Sequence, residues 1–173
     1  MNETNEISTW EARLELARVL SYMQRYEESL HEYQQLLQEK PDSFLAKREM
    51  AAVYFYSGDD KKAMELFEEI PDNARDAKSW LVIADLLSKQ KKYPQAEQIY
   101  NQYLKNEPKD DRVRLKLAAL LSWQKRYDES IEHYKIILEH HPNDIQVRRR
   151  YAQVLTWMGN DEEAIKEWKK TLP

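Results

Sequence analysis

The sequence predicts an all-α protein of five antiparallel helix hairpins, with about ten helices stacked as an α-solenoid. Three observations predict this fold class. Small residues recur in apolar settings with a period of 33 to 34 residues along the chain. Prolines follow three of the predicted hairpins, at Pro41, Pro108 and Pro142. Only 2 glycines occur among 173 residues, which argues against the many tight turns of an all-β sandwich or barrel.

Three series of equivalent residues define the period. The first marks the point where the two helices of a hairpin approach closely, and its members are Ala17, Ala51, Ala84, Ala118 and Ala152. The second follows 12 residues later, on the second helix, at Ser29, Ala63, Ala96, Ser130 and Ala164. The third is aromatic, lies one helical turn further on and fills the space between hairpins, at Tyr33, Phe67, Tyr100, Tyr134 and Trp168. A hairpin cannot bury its apolar face alone, so these series predict stacking of neighbours.

The period divides the chain into repeats of about 10–43, 44–76, 77–110, 111–144 and 145–173, which we expect to form a single array. The first helix should begin at a capping box, because Ser8 and Glu11 have the required spacing. Asp42 and Ser43 precede the first helix of the second repeat. In that repeat Pro71 comes about four residues early, which predicts a short second helix and an irregular link to the third repeat.

The fourth repeat shows the pattern of a complete hairpin. Asp110 and Asp111 precede a first helix at about 112–124, and a short turn leads to a second helix at about 127–140. The fifth repeat has no solvating helix after it, so Ile165 and Trp168 should lie near an uncapped end. We therefore expect the chain either to be a fragment of a longer protein or to self-associate through its C-terminal repeat.

The pattern resembles the tetratricopeptide repeat (TPR) family over about residues 10–173. In the third repeat the residues that carry the resemblance are Trp80, Ile83, Ala84, Leu87, Ala96, Tyr100, Tyr103 and Pro108. The resemblance implies a right-handed α-solenoid that binds protein or peptide partners on a concave surface lined by the first helix of each hairpin.

Composition excludes several kinds of chemistry. The net charge of −4 gives no basic field for nucleic acid. The chain has no cysteine, so neither a disulfide nor a zinc–thiolate site can form. No catalytic, metal-binding or phosphate-binding motif is present, so we expect neither an enzyme nor a cofactor. His140 and His141 should point in different directions at a helix end. No stretch is apolar enough to predict membrane insertion, and residues 1–9 lack the charged and apolar parts of a signal peptide.

The family's groove-facing positions single out two sets of residues. The aromatic ladder ends four of the first helices and consists of Tyr22, Tyr56, Trp123 and Trp157. The basic set lies earlier on the first helices of all five repeats and consists of Arg18, Arg48, Lys78, Arg112, Lys116, Arg149 and Arg150. Such a groove would suit an extended segment with apolar or aromatic anchors and acidic groups. The alternatives are that the ladder seals one hairpin against the next, and that the basic residues only form surface ion pairs.

Three segments resemble TPR scaffolds of bacterial periplasmic exopolysaccharide (cellulose-type) secretion: LARVLSY, LAALLSWQKRYDESI and YAQVLTWMGNDEEAI. This resemblance implies a role in assembling a bacterial envelope complex, in the periplasm rather than the cytoplasm. It also leaves open an alternative partner, a polysaccharide that stacks on the aromatic ladder.

Overall fold

The computed structural model describes residues 8–173, which form ten α-helices, one 3-10 turn and no strand. The α-helices are α1 (Thr9–Tyr22), α2 (Tyr26–Glu39), α3 (Phe44–Ser57), α4 (Asp60–Glu68), α5 (Ala77–Lys89), α6 (Tyr93–Asn106), α7 (Asp111–Trp123), α8 (Tyr127–His140), α9 (Ile145–Met158) and α10 (Asp161–Lys169). The predicted all-α fold of five helix hairpins is thereby confirmed. Residues 1–7, and with them most of the segment compared with a signal peptide, lie outside the described part of the chain.

The first helices begin where the capping residues predict. At α1 the Ser8 hydroxyl accepts a hydrogen bond from the Glu11 amide at 3.2 Å, and the Glu11 carboxylate accepts one from the Ser8 amide at 2.9 Å. Ser43 accepts from the Ala46 amide at α3, and Asp110 caps α7 in the same way. These bonds satisfy amide groups that have no partner inside the helix, so a local rule is enough to place each helix start.

In three of the hairpins a proline determines where the second helix ends. The helices α2, α6 and α8 each end two residues before Pro41, Pro108 or Pro142. Proline has no amide hydrogen, and its ring disfavours helical geometry in the residue before it. The short helix predicted for the second repeat is also confirmed, since α4 has 9 residues and a 3-10 turn at Asp72–Ala74 follows Pro71. Arg75 supports this link by donating to the carbonyl oxygen of Phe67 at 2.8 Å.

The turn inside each hairpin contains one residue with a left-handed backbone. These residues lie at equivalent positions of the five repeats: Gln24, Gly58, Lys91, Lys125 and Gly159, with φ between 60° and 90°. Glycine adopts this conformation without a steric penalty, whereas glutamine and lysine do not. Three of the five turns are therefore formed by residues that do not favour them.

The chain divides into two compact units, one ending at Leu86 and the other beginning at Leu87. In the first unit α1, α2 and α3 share an apolar cluster that includes Ala17 and Tyr33. In the second unit α7 to α10 share a cluster that includes Ala118 and Tyr134. Every member of the first small-residue series is fully buried.

Serine replaces alanine twice in the second small-residue series, and each serine has a hydrogen-bond partner. The Ser29 hydroxyl donates to the carbonyl oxygen of Ala17, and the Ser130 hydroxyl donates to that of Ala118, both at 2.7 Å. The two hydroxyls are buried, and this bond satisfies each of them within its own hairpin.

Candidate functional site

An open cleft of about 440 Å³ lies in the first unit. All five groove residues predicted for this unit line it: Arg18, Tyr22, Arg48, Tyr56 and Lys78. On α1 the arginine and the tyrosine are four residues apart, so they lie on one face of the helix. The two ladder tyrosines are exposed, Tyr22 to 91% and Tyr56 to 59% of their surface. The structure therefore brings these residues together in one cleft.

The Glu49 carboxylate offsets much of the positive charge in this first cleft. Its carboxylate accepts from Arg18 twice, with Nε to Oε2 at 2.9 Å and Nη2 to Oε1 at 2.6 Å. Tyr33 also donates its hydroxyl to Glu49 Oε2, at 3.0 Å. Burial and the negative charge of Glu49 raise the pKa of Tyr33, which keeps the hydroxyl protonated as a donor.

The first cleft is less basic than the sequence alone predicts. Its lining includes the cations Arg18, Arg48 and Lys78 but also the carboxylates of Glu49 and Asp76, so one net positive charge remains. Arg48 Nε lies 3.6 Å from an oxygen of Asp76. Asp76 was missed as a cleft residue because it lies in the link before α5, outside the helix positions used for the prediction.

A second cleft, of about 320 Å³, lies in the second unit between side chains of α7, α8, α9 and α10. The predicted residues that line it are Trp123, Arg149, Arg150 and Trp157. Both tryptophans are more than half exposed. Among the described residues no carboxylate lines this cleft, so its two arginines give it a clear positive charge.

The two arginines of the second cleft differ in their surroundings. Arg150 interacts with the hydroxyl of Tyr134, which belongs to the aromatic series of equivalent residues. Tyr134 is buried, and this burial raises the pKa of its hydroxyl. In the described part of the chain the Arg149 side chain has no hydrogen-bond or ion-pair partner, and it is exposed. Of the two arginines in this cleft, Arg149 is therefore the one that could bind an anionic ligand without first giving up a partner.

Arg112 and Lys116 do not line the second cleft. Arg112 lies at the start of α7, where Nη2 contacts Asp110 at 3.0 Å and Nε contacts it at 3.2 Å. Lys116 is exposed on the same helix and takes part in an interaction of its own. The pairing of Arg112 with the capping aspartate agrees with the alternative interpretation of the basic set, in which its members form surface ion pairs.

Trp168 is a cleft residue that the sequence analysis assigned only to packing between hairpins. It lies on α10 and lines the second cleft, with its indole Nε1 donating to the Thr156 hydroxyl at 3.3 Å. It is only half-buried, whereas Tyr33, Phe67, Tyr100 and Tyr134 at the equivalent positions are buried. The available signal was its identity, since it is the one tryptophan in an otherwise Tyr/Phe series.

The two adjacent histidines converge on one carboxylate, contrary to the expectation that they would point apart. Asp111 Oδ2 lies 2.7 Å from His140 Nδ1 and 3.3 Å from His141 Nε2. The two rings stand edge to face, so both can reach the same oxygen from the end of α8. Within residues 8–173 no group of three or more potential ligands is arranged to hold a metal ion.

None of the helices in the described part of the chain is long and apolar enough to span a bilayer. No curated protein matches the chain in sequence. Several solved structures match its fold at TM-scores near 0.8. MamA MSR-1 matches at a TM-score of 0.80 and 24% identity, over 94% of each chain. Another MamA structure matches at 0.79 and 16% identity, over 95% of this chain and 90% of that one.

A third solved structure is YrrB, described as a TPR protein with an unusual peptide-binding site. It matches at a TM-score of 0.78 and 18% identity, over 98% of this chain and 87% of its own. At such identities these likenesses concern the fold. The sequence pattern that defines the tetratricopeptide repeat matches residues 20–86 and 87–144, well over half of the chain. The chain is therefore a member of the tetratricopeptide repeat family.

Proposed function

We propose that this protein is a scaffold for protein–protein interactions, and that its two clefts each bind an extended peptide segment or one face of a partner helix. The main support comes from the second cleft, where Trp123 and Trp157 are exposed. Arg149 and Arg150 line the same cleft, and no carboxylate of the described residues does. Tryptophan and arginine are the residues that most often dominate binding energy at protein interfaces.

The chemistry of the clefts defines the ligand. Exposed indole and phenol rings favour apolar or aromatic anchors, because burying such rings removes a large apolar area from water. The net positive charge of both clefts favours acidic groups between the anchors. The ligand we propose is therefore a segment that alternates Phe, Leu or Trp anchors with Asp or Glu.

Two further points support a peptide ligand. TPR arrays and other helical solenoids present extended surfaces that bind other chains. YrrB, whose fold this chain shares, is itself described as having a peptide-binding site. The resemblance of three segments to periplasmic secretion scaffolds leads us to place the partner in a bacterial envelope complex.

A polysaccharide is the alternative ligand, as part of an exopolysaccharide export system. The observation in its favour is that Trp123, Trp157 and Trp168 line one cleft together with the amide side chains of Gln146 and Gln153. Indole rings and amides are suited to sugar rings and hydroxyls. A neutral sugar has no carboxylate to pair with the two arginines, however, and for this reason we favour an acidic peptide.

The test is a titration by fluorescence anisotropy with labelled peptides that alternate acidic residues and Phe or Leu. Matched peptides carry Asn and Gln in place of Asp and Glu, and cello-oligosaccharides serve as competitors. The double variant Trp123→Ala/Trp157→Ala should weaken peptide binding by at least about 30-fold, since the loss of even one anchor of this kind costs about 2 kcal/mol. Met158→Ala is the matched control, because Met158 is an exposed apolar residue of α9 outside the cleft lining.

Each outcome separates the alternatives. Circular dichroism first checks that the parent and the double variant are both folded. Equal peptide binding by the two proteins would then refute the ligand role of the aromatic ladder. Displacement of the peptide by cello-oligosaccharides at comparable concentration would favour the polysaccharide ligand. Equal affinity for the acidic and the Asn/Gln peptides would refute the role of the arginines.

A further inference from the structure

The first helix exposes three apolar residues at positions that every other repeat buries. These residues are Ala12, Leu16 and Val19, and they lie on one face of α1. Leu16 is 47% exposed and Val19 is 52% exposed. The equivalent residues of the other four repeats are all buried: Ala46, Met50 and Val53; Ser79, Ile83 and Leu86; Val113, Leu117 and Leu120; Val147, Tyr151 and Val154.

The last helix exposes a second apolar face. Ile165 is 55% exposed and Leu172, just after α10, is 68% exposed, with the half-buried Trp168 between them. In α2, the second helix of the first repeat, the equivalent residues are Leu30, Tyr33 and Leu37. All three belong to the apolar cluster of the first unit. In α8 they are Ile131, Tyr134 and Leu138, which belong to the cluster of the second unit.

These two exposed faces are the two halves of an interface that the chain already builds twice. In the first unit, Leu30, Tyr33 and Leu37 of α2 pack in one cluster with Ala46, Met50 and Val53 of α3. In the second unit, Ile131, Tyr134 and Leu138 of α8 pack with Val147, Tyr151 and Val154 of α9. The α10 face supplies the first half of this interface, and the α1 face supplies the second half.

We propose that a second copy of this chain covers these faces, with α10 of one copy packed on α1 of the next. Ile165, Trp168 and Leu172 of one molecule then lie against Ala12, Leu16 and Val19 of its neighbour, as α2 lies against α3. This surface is distinct from the peptide-binding clefts and depends on none of the ladder residues.

Charge at the two faces agrees with this arrangement. The first half of α1 carries Glu11 and Glu15, and the second half of α10 carries Lys166 and Lys169, all of them exposed. In the internal interface the end of α2 is joined by a short turn to the start of α3, so the helices run antiparallel. The same geometry between copies brings the acidic start of α1 to the basic end of α10, where opposite charges favour association.

Because the two faces differ, the contact is heterologous, and a dimer leaves one face of each kind open. Such a contact builds open chains unless its rotation closes a ring. The interface is also small, since it involves one helix face on each side, so it should be weak. Association should therefore increase steadily with protein concentration and should not stop at a dimer.

The test uses two variants, each blocked on one face, in sedimentation velocity experiments at up to about 1 mM protein, because small interfaces bind weakly. Leu16→Glu/Val19→Glu blocks the α1 face, and Ile165→Glu/Leu172→Glu blocks the α10 face. All four residues are exposed, so both variants should keep the fold, which circular dichroism checks. Tyr22→Glu is the matched control, because Tyr22 is an exposed apolar residue on another face of α1.

The wild type and Tyr22→Glu should form species larger than dimers, and each blocked variant alone should be a monomer. An equimolar mixture of the two blocked variants should give a dimer and nothing larger, because one intact face of each kind remains. A wild type that stays monomeric overturns the proposal. So do blocked variants that associate like the wild type, a mixture that stays monomeric, or a Tyr22→Glu variant that has lost association.

Discussion

Arg18 and Glu49 form a two-point ion pair between α1 and α3, with nitrogen–oxygen distances of 2.9 Å and 2.6 Å. The pair joins the first helices of two neighbouring repeats, and Tyr33 of the intervening α2 donates to the same carboxylate. Both side chains are partly exposed on the first cleft. Glu49 therefore has two roles there, since it holds three helices together and reduces the positive charge that a ligand meets.

We predict that Glu49→Gln raises the affinity of the first cleft for acidic peptides. Removing the carboxylate leaves the Arg18 guanidinium available and adds one positive charge to the lining. A partly exposed pair of this kind corresponds to about 1 kcal/mol, so the affinity should rise by up to about fivefold. Peptide titration at two salt concentrations measures the change, and Glu68→Gln, at an exposed position of α4, is the control. Unchanged or weaker binding by a folded Glu49→Gln protein would contradict this role of Glu49.

Lys125 should be a site where glycine stabilises the protein. Its φ of 61° lies in the left-handed region, at the turn position that Gly58 and Gly159 occupy in other repeats. A non-glycine residue in this region costs about 1 kcal/mol or more, so Lys125→Gly should raise the free energy of unfolding by about 0.5 to 1 kcal/mol. Urea unfolding measures the change. Lys135→Gly, in the middle of α8, is the control and should lower the free energy of unfolding by a similar amount. If Lys125→Gly also lowers the free energy of unfolding, the turn is not strained.

His133 should make stability depend on pH in the weakly acidic range. Its burial, together with the positive charge of Arg114, lowers the pKa of the imidazole below its ordinary value of 6.5. The folded state therefore binds fewer protons than the unfolded state, and the stability present above pH 6.5 is lost as the pH falls through the folded-state pKa. His133→Gln should flatten this loss between about pH 7.5 and pH 5.5. The exposed His31 provides the control His31→Gln; identical pH profiles for His133→Gln and the wild type would refute the prediction.

Glu167 is a buried carboxylate that should be important for the last hairpin. Burial alone would raise its pKa, but hydrogen bonds from Lys170 and Arg148 outweigh that effect, and the pKa is lowered. Glu167→Gln would leave the largely buried Arg148 without a counter-charge and should cost about 2 kcal/mol or more. Thermal unfolding compared with Glu162→Gln, at an exposed position of the same helix, measures the difference. Equal melting temperatures for the two variants would show that Arg148 does not need this partner.

The parts of the fold that were predictable from sequence obey local rules. The spacing of Ala17, Ala51 and their equivalents indicates where helices meet, and Ser8 with Glu11 marks a helix start through contacts three residues apart. Pro71 likewise shortens α4 through the geometry of its own ring. Each of these effects depends on residues close in sequence, or on a period that repeats, and both can be read without coordinates.

The details of the clefts depend on contacts that no local rule describes. The residues of the Arg18–Glu49 pair lie 31 positions apart, and the repeat pattern specifies neither charge. Asp76 reaches the first cleft from an irregular link. Lys91 and Lys125 form left-handed turns although few residues other than glycine favour them, because the packed hairpins on either side determine the turn. Trp168 lines the second cleft although its equivalents in the other repeats are buried, and the repeat pattern alone does not distinguish these two environments.

Whether the clefts bind peptides can be measured by selection from a library of displayed random peptides on the wild-type protein. A parallel selection uses the Trp123→Ala/Trp157→Ala variant, and both enriched pools are sequenced. If the clefts bind peptides as proposed, the wild type enriches sequences that combine aromatic or Leu anchors with Asp or Glu, and the folded variant loses them. Enrichment of the same sequences by both proteins, or of none by either, would contradict the claim that these clefts bind peptides.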